Sequence, residues 1–512
     1  MRLGGLPRPS PRDAVAGFSV ALVVVPQAIA YAQLAGMPPE RGLYAAALPA
    51  IAAALFASSP YLQTGPTAQT ALLTFGALAP LAAAGSDRIV ELALLLALIV
   101  GVTRLLVGLL RAGVIAYLMS QPMMLGFVPA AGILIIASQL PTALGARTSG
   151  DGILENAVEA LVHPGRWSAA AIVLAVVAVG LIALGPRLHR LFPSVLVAIG
   201  VGVAYVQLAS YDRDRIGGVP EGEPPLSLDL PWDDVGHLLL PGVIIALVGF
   251  AEPSAIARTL AAKERRPWDA NREFLSQGAA NVAAAFSGGF PIGGSFSRSA
   301  LNRLAGARTA WSGAATGVAV LAFLPFAGIL SDVPKTSLAG VVIGAVVGLV
   351  RLRPLLRLRR YSLPQFGVAL TTFALTLALS PHIERAVLIG IGLAIAVHLW
   401  RELDLDVDAE VVETTLHLRP SGVLWFGTAP RLDGIFLRLL ADNPGVERLV
   451  LHLDGLGRVD LPGALALRQL LQDARDAGIE ADLADVPARA ERFVERVLLR
   501  EHDPLAPPRE DT

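Results

Sequence analysis

Long apolar stretches separated by short polar clusters fill most of this 512-residue chain, from residue 14 to residue 400. Runs of about 18 or more residues with few charges are long enough to cross the hydrocarbon core of a bilayer, which is roughly 30 Å thick. The pattern predicts fourteen membrane segments, although several are too short to cross alone. They lie at 14–35, 43–57, 67–84, 89–110, 114–140, 169–185, 193–209, 237–251, 273–288, 296–304, 310–330, 338–350, 363–380 and 386–400.

The pattern changes after residue 400. Residues 401–512 are more charged and contain no apolar run long enough to span a membrane. Strand character is visible at 414–427 and 446–456, whereas 461–477 and 487–499 have the period of amphipathic helices. We therefore expect a small soluble α/β domain at 401–500, followed by a Pro-rich, disordered tail at 501–512.

Composition excludes several classes of protein. Only 16% of the residues are charged, against about 25% in soluble proteins, and there is no Cys, so disulfides, thiol nucleophiles and thiolate metal sites are excluded. The formal net charge of −1 gives no general attraction to nucleic acid. The eight histidines show no metal-ligand spacing, and no P-loop, nucleophile elbow or catalytic carboxylate pair is present. The sequence predicts neither an enzyme nor a cofactor or metal site.

The distribution of basic residues predicts the topology. Three basic clusters mark cytoplasmic loops, while the acidic segment 212–234 falls on the opposite side. An even number of crossings with both termini in the cytoplasm, including the segment 1–13, satisfies the positive-inside rule. The basic clusters are Arg187 with Arg190, Arg258 to Arg272, and Arg351 to Arg360.

Two short motifs occur twice, in the same order. "PQAIAYA" at 26–32 aligns with "PSAIART" at 253–259, and "GPTAQTAL" at 65–72 aligns with "GSFSRSAL" at 294–301. The offsets are nearly equal, at 227 residues (253 minus 26) and 229 residues (294 minus 65). Seven segments precede the second copy, which therefore enters the membrane from the opposite side. This is the inverted repeat that many secondary transporters share.

Each octamer begins a short helix after a glycine and carries hydroxyl residues in the first turn. Non-helical backbone at membrane depth is tolerated only where protein or a watery cavity satisfies its polar groups. Two half-helices whose N-termini meet near the midplane would form an anion site, because N–H groups and helix dipoles point inward. The alternative is a packing motif of small residues, without a ligand.

Two ionisable residues fall inside the repeats: Arg298 in the second octamer, and Glu252 at the end of the eighth segment beside Pro253. A charge at a helix centre costs about 2.5–3.5 kcal/mol on insertion scales, so such residues are usually functional. There are three alternatives: Glu252 lies near an interface, Arg298 snorkels to the membrane surface, or the two residues form an ion pair that has only a structural role. Two helix N-termini and Arg298 give a charge of about +2, which ionised Glu252 lowers to about +1. A dianion would then be balanced only if Glu252 takes up a proton.

These motifs carry a family resemblance. "PQAIAYAQLAGMPPERGLYAA" (26–46), "TGPTAQTAL" (64–72), the Glu252 region and "SFSRSALN" (295–302) resemble the SulP family of anion transporters, and the C-terminal part resembles a STAS domain. The resemblance implies seven plus seven inverted helices across residues 14–400. A core (helices 1–4 and 8–11) would move like an elevator against a gate (helices 5–7 and 12–14).

The same resemblance implies a substrate site between helices 1, 3, 8 and 10, and the charge balance above makes Glu252 the proton-coupling residue. Sodium-coupled bicarbonate members place a Thr four residues after the acid of helix 8, where this chain has Ile256. In the STAS part, the position of the phosphorylatable serine holds Pro462, so a phosphoserine switch is not expected there. The implied site residues are Gln27, Tyr31, Thr67, Glu252, Ser295, Phe296, Ser297 and Arg298. Tyr31 and Phe296 would shape the cavity and exclude water.

The sequence thus predicts a proton-coupled transporter of a small dianion in a bacterial inner membrane, with a dicarboxylate such as fumarate slightly ahead of sulfate. The resemblance implies a homodimer, and the STAS domain could bind a cytosolic partner. A bicarbonate/chloride exchanger, an anion channel and a receptor or scaffold are the alternatives. A nucleobase–proton symporter is a further alternative, but Arg298 favours an anion over a neutral base.

Overall fold

The computed structural model describes residues 8–117, 120–150, 152–189, 192–209, 214–220, 222–226, 229–403 and 405–486. The chain divides into two compact units, of which the first ends at Ala394 and the second begins at Ile395. The amphipathic helix predicted at 487–499 and the tail predicted at 501–512 lie outside the described residues. The domain boundaries drawn from the sequence stay predictions.

The first half of the larger unit is built from helices and one two-residue strand. Its elements are α1 (Pro11–Leu34), α2 (Pro39–Ala46), α3 (Leu48–Phe56), β1 (Thr64–Gly65), α4 (Ala68–Leu78), α5 (Asp87–Leu109), α6 (Gln121–Leu144), α7 (Ile153–Val162), α8 (Ala169–Leu188) and α9 (Ser194–Leu208).

The second half repeats this plan. Its elements are α10 (Val235–Glu264), α11 (Ala270–Phe286), β2 (Gly293–Gly294), α12 (Phe296–Leu304), α13 (Trp311–Phe323), α14 (Lys335–Val346), α15 (Leu352–Tyr361), α16 (Leu363–Ala378) and α17 (Ile383–Glu402). Within the described residues, seven helical segments are long and apolar enough to cross a membrane, and four shorter apolar helices accompany them.

Each of the fourteen predicted segments overlaps a helix, but several bounds were wrong. The eighth segment was predicted to end at 251, whereas α10 continues through Glu252 and Pro253 to Glu264. A proline inside a helix removes one backbone hydrogen bond, and here the remaining bonds carry the helix onward. Glu252 therefore lies inside α10 and not at its end.

Other differences concern shorter elements. The segment 43–57 is two helices, α2 and α3, separated at Ala47. The fifth segment begins at Gln121 and not at 114, because Gly113–Tyr117 forms a 3₁₀ turn. The amphipathic helices α7 and α15 were not predicted. Both are ten residues long, which is too short to give the apolar run by which a bilayer-spanning helix is recognised in a sequence.

The inverted repeat is visible where the two octamers begin. Strands β1 and β2 pair in antiparallel fashion, with Thr64 opposite Gly294 and Gly65 opposite Gly293. The flanking helices follow the same symmetry, since α1 packs on α13 and α10 packs on α5. A second group, α6, α8, α9, α14 and α16, packs mainly within itself. The ends of α4 and α12 are thereby brought to one place between the two halves.

The C-terminal unit is an α/β domain, as the sequence predicted. Its sheet has the order β3-β4-β5-β7, with β6 also paired to β4; β3 is antiparallel to β4 and the other pairs are parallel. Helix α18 was not predicted, and the stretch 446–456 holds two strands rather than one. The elements are β3 (Asp406–Val412), β4 (Thr415–Leu424), α18 (Ala429–Asp442), β5 (Arg448–His452), β6 (Leu456–Val459), α19 (Leu461–Asp476) and β7 (Glu480–Ala484).

Candidate functional site

The two short helices that leave the β1–β2 pair differ at their first turns. Helix α4 is capped by its own side chains, because the Thr67 hydroxyl accepts from the Thr70 N–H at 3.2 Å and the Thr67 N–H donates to the Thr70 hydroxyl at 3.3 Å. Helix α12 has no such cap: the Ser295 side chain accepts no N–H of the first turn and lies 3.3 Å from the Ser297 hydroxyl. The N–H groups that begin α12 are therefore left for other acceptors.

One of those N–H groups faces a carboxylate from another helix. Glu252, in α10, lies within electrostatic range of the backbone N–H of Phe296, the first residue of α12. A negative group at this position is favoured by the helix dipole. Glu252 also lies close enough to Arg298 for the two charges to attract each other.

Arg298 is the most informative residue of the site. Its side chain is 1% exposed, and its Nη1 and Nη2 atoms are buried without a hydrogen-bond partner among the described residues. Buried charges in proteins are normally paired and hydrogen-bonded, because desolvation is otherwise very costly. A Cβ added at Gly65, in β1, would lie 3.6 Å from Nη2, so the guanidinium reaches the strand crossing. Its donors are in the planar arrangement that suits an oxyanion.

Helix α1 contacts both α4 and α12 and supplies two of the predicted residues. Gln27 is buried, and its Oε1 has no hydrogen-bond partner in the described part of the chain. Tyr31 is also buried and lies within electrostatic range of Arg298 and Glu252. The structure therefore brings the predicted residues of α1, α10 and α12 together around one buried charge.

The remaining predicted residues border this group at different depths. Thr67 is buried, and its hydroxyl is already used in the cap of α4. Phe296 is 50% exposed and Ser297 is exposed as well. Phe296 therefore borders the site with half of its surface uncovered in this structure, whereas the sequence had predicted that it helps to enclose the cavity. Tyr31 and not Phe296 is the aromatic residue buried beside the charges.

Arg104 in α5 was missed by the sequence analysis. Its side chain is fully buried, and it donates to three backbone carbonyls: Ala246 at 3.0 Å, Ile292 at 2.9 Å and Ile245 at 3.4 Å. It thus joins α5 to α10 and to the residue before β2. The available signal was a lone arginine in the apolar run 89–110.

Two further buried polar residues were missed. Gln69 aligns with Arg298 in the repeat, and its Nε2 is buried without a partner among the described residues. Glu273 in α11 is fully buried; its Oε2 accepts from the Ser59 N–H at 2.9 Å and from the Trp268 Nε1–H at 3.4 Å. The alignment pointed to Gln69, whereas Glu273 was hidden at the predicted edge of a helix.

No cluster of three or more His, Asp or Glu side chains that could hold a metal ion occurs in the ranges that the structure describes. The C-terminal unit does contain three polar side chains that contact one another in series, His417, His452 and Asp485. His417 Nδ1 lies 3.0 Å from His452 Nε2, and His452 Nδ1 lies 2.6 Å from an oxygen of Asp485. The spacing of 35 residues between the histidines concealed this contact in the sequence.

Known proteins resemble this chain over nearly all of its length. Residues 11–372 match the sulfate permease family, and residues 406–511 match the STAS domain. A protein of Mycobacterium tuberculosis (strain CDC 1551 / Oshkosh) named "probable sulfate transporter" is 32% identical over 503 residues, covering 93% of this chain and 89% of the relative. Sulfate transporter 4.1, chloroplastic, of Arabidopsis thaliana is 33% identical over 397 residues, covering 75% of this chain and 57% of the relative.

Solved structures share the fold. The murine Solute Carrier 26 family member A9 anion transporter, in the inward-facing state, superposes with a TM-score of 0.85 at 19% identity, covering 95% of this chain and 87% of that one. The transmembrane domain of a cyanobacterial bicarbonate transporter, BicA, superposes with a TM-score of 0.65 at 24% identity, covering 75% of this chain and 97% of that one. These matches confirm the predicted family and fold: the chain belongs to the sulfate permease family and has a helical membrane-transporter fold with a C-terminal STAS domain.

Proposed function

We propose that this protein is a secondary active transporter that carries a small dianionic oxyanion together with protons. The observation that supports this most directly is the Arg298 guanidinium, which is buried beside the N-terminus of α12 with both terminal nitrogens unpaired among the described residues. Arginine and helix N-terminal N–H groups are the donors that proteins use for sulfate, phosphate and carboxylate. A bound dianion would supply the missing partners.

Sulfate is the first candidate for the anion. The site offers a guanidinium fork, the amide groups of α12 and hydroxyls of Ser295 and Ser297, and a tetrahedral oxyanion can accept from several directions at once. Two relatives from distant organisms are named as sulfate transporters. The sequence predicted a dicarboxylate such as fumarate slightly ahead of sulfate. The names of these relatives now favour sulfate, and fumarate becomes the second candidate.

Proton coupling follows from the charges around the site. Arg298 and the helix N-termini balance a dianion only when Glu252 is neutral, so uptake of the anion would accompany protonation of that carboxylate. A sodium-coupled site would need an oxygen ligand four residues after Glu252, where the buried side chain of Ile256 has none. The proton is therefore the coupling ion that fits these residues.

The transport cycle we propose is an elevator movement. Helices α1 to α5 and α10 to α13 would move as a core that carries the site, against a gate formed by α6, α8, α9, α14, α16 and α17. The antiparallel β1–β2 pair supports this assignment, because it joins the two halves of the core at the site itself. We place the protein in a bacterial inner membrane as a homodimer with both termini in the cytoplasm. The STAS domain would be available to a cytosolic partner.

The test is uptake of radiolabelled anions into proteoliposomes. The panel consists of sulfate, fumarate, succinate, bicarbonate and chloride, each measured with and without an inward proton gradient. Accumulation of sulfate above equilibrium only with the gradient is the expected result. Equal uptake without the gradient, or strict exchange of one anion for another, would contradict proton symport and favour an exchanger.

A passive channel is distinguished in the same experiment. A gradient of one solute cannot drive another uphill through a channel, so a channel would equilibrate the anion without accumulating it. If the neutral base uracil is added to the panel, a nucleobase–proton symporter would accumulate it. Equilibration without accumulation would overturn active transport, and accumulation of uracil would overturn the dianion assignment. Both outcomes would leave the family and the fold unchanged.

A further inference from the structure

Helix α15 (Leu352–Tyr361) is short, strongly basic and placed between two apolar helices, α14 and α16. Ten residues rise only about 15 Å, so the helix cannot cross a bilayer. Between Asp332 and Glu384 the sequence contains no acidic residue. The positive charge is concentrated in Arg351, Arg353, Arg357, Arg359 and Arg360.

Three arginines of α15 form one stripe, and its exposed leucines lie beside that stripe. Arg353, Arg357 and Arg360 are spaced by four and three residues, which places them on one face of the helix. Leu355 is 3% exposed and packs on the protein, whereas Leu352 and Leu356 are 40% and 58% exposed. On a helix with 3.6 residues per turn, these two leucines lie between Leu355 and the arginine stripe. Arg359 falls on the apolar side, between Leu355 and Leu352, where a long side chain can bring its charge to the headgroups.

The arginines of α15 and Arg351, its N-cap residue, have no acidic partner among the described residues. None of the five guanidinium groups makes an ion pair or a hydrogen bond with another described residue. Some exposed arginines elsewhere are paired, as Arg303 is with Glu264 at 2.6 Å, whereas others, such as Arg265 and Arg266, form no ion pair with a described residue. What distinguishes α15 is that three such arginines share one face beside exposed leucines.

We propose that α15 lies in the membrane interface and binds the phosphate groups of anionic phospholipids. A helix with exposed leucines beside a basic stripe inserts its apolar side at the boundary between acyl chains and headgroups and holds anionic headgroups with its cations. Arginine suits this role because its fork of N–H groups binds phosphate oxygens in a bidentate manner. The apolar helices α14 and α16 precede and follow α15 in the chain, so α15 would lie where the chain leaves and re-enters the hydrocarbon core. This surface is separate from the transport site and does not depend on which anion is carried.

The absence of cysteine makes a direct test possible. Leu356→Cys introduces one thiol on the exposed apolar side of α15, which is then labelled with bimane in the full-length protein. The labelled protein is reconstituted in phosphatidylcholine vesicles containing phosphatidylglycerol, with a nitroxide quencher attached to the acyl chain of one lipid or the other at equal mole fraction. Quenching by labelled phosphatidylglycerol should exceed quenching by labelled phosphatidylcholine by at least about twofold, and the excess should fall as salt is raised.

Two triple variants separate α15 from general basic charge. The first variant combines Arg353→Gln, Arg357→Gln and Arg360→Gln and should remove the excess quenching. The second combines Lys263→Gln, Arg265→Gln and Arg266→Gln, at the C-terminal end of α10 on the same predicted side, and should preserve it. Equal quenching by the two lipids in the parent protein would overturn the proposal, since the arginines would then serve topology alone. Absence of quenching by either lipid would also overturn it, and would indicate that protein covers the helix.

Discussion

The carboxylate of Glu252 lies within electrostatic range of the backbone N–H of Phe296, the residue that begins α12. A protein carboxylate is thereby held near the helix N-terminus, close to the guanidinium of Arg298, whose Nη1 and Nη2 have no hydrogen-bond partner among the described residues. A transported anion would bind the same donors, the N–H groups at the start of α12 and the Arg298 guanidinium, because both carry positive charge. Competition between Glu252 and the substrate for these donors connects proton uptake to anion binding within one site.

The substitution Glu252→Gln tests this connection. The amide oxygen of glutamine can still face the Phe296 N–H, but the side chain can no longer exchange a proton. We expect sulfate uptake to lose its stimulation by an inward proton gradient, so that the ratio of uptake with and without the gradient falls to about one. Initial rates in proteoliposomes at fixed internal pH measure this ratio.

Glu264→Gln is the matched control for that variant. Glu264 ends the same helix but pairs with Arg303 on the protein surface, so its loss should leave the stimulation intact. If Glu252→Gln retained the full stimulation by the proton gradient, the proton-coupling role of Glu252 would be wrong.

Replacement of Arg298 should weaken anion binding. Hydrogen bonds to charged groups contribute about 1.5–3 kcal/mol each, so Arg298→Gln should raise the KM for sulfate by roughly 10-fold to 150-fold. Arg298→Lys keeps the charge but loses the planar fork, and its KM should lie between those of the parent and the glutamine variant. Arg303→Gln, on the exposed side of the same helix, should change the KM by less than about twofold. Unchanged KM in a well-folded Arg298→Gln protein would remove this residue from the binding site.

The site could be predicted from sequence where the backbone itself carries a signal. Gly65 and Gly293 are opposite each other in the β1–β2 pair, and the glycine-led octamers had already predicted that the two chain breaks meet. The alignment of the octamers also predicted Arg298 and paired it with Gln69. The Nε2 atom of Gln69 is also buried without a partner among the described residues. The sequence did not single this residue out, because a neutral amide lacks the insertion cost that marks a charged residue such as Arg298 as functional.

Other features were beyond sequence reasoning because their partners are distant in the chain. Arg104 donates to carbonyls 141, 142 and 188 residues away, so no local spacing indicates its role. The continuation of α10 past Pro253 depends on packing against neighbouring helices, which compensates for the one lost hydrogen bond. The exposure of Phe296 likewise depends on how α12 packs, and not on the residue types around it.

Close packing of α2 on α1 gives a third prediction. A Cβ added at Gly42, in α2, would collide with the backbone carbonyl oxygen of Ala28, next to Gln27 of the site. Backbone cannot yield as a flexible side chain can, so Gly42→Ala should push α2 away and lower the free energy of unfolding by about 1–3 kcal/mol. The thermal midpoint of the purified protein should fall, together with sulfate uptake.

Gly180→Ala is the control for this packing argument. Gly180 lies within α8, and an added Cβ there meets no atom within 4 Å. Alanine favours a helix over glycine by up to about 1 kcal/mol, so this variant should be as stable as the parent protein or slightly more stable. Equal midpoints for the Gly42 and Gly180 variants would contradict the close contact between α2 and α1.

Arg104→Met tests whether a buried arginine can act as a structural link between the two halves of the repeat. Methionine fills much of the same volume but cannot donate, so the carbonyl of Ile292, just before β2, loses its bond to the guanidinium and keeps only the one from the Asn281 amide at 3.2 Å. Hydrogen bonds from a charged donor contribute about 1.5–3 kcal/mol each, and we expect the thermal midpoint to fall by several degrees. Arg88→Met on the same helix removes only exposed pairs with Glu91 and Asp234 and should change stability by less than about 1 kcal/mol. If Arg104→Met were as stable as the parent but had lost uptake, the guanidinium would act on the transported anion instead, and Arg104 would belong to the binding site together with Arg298.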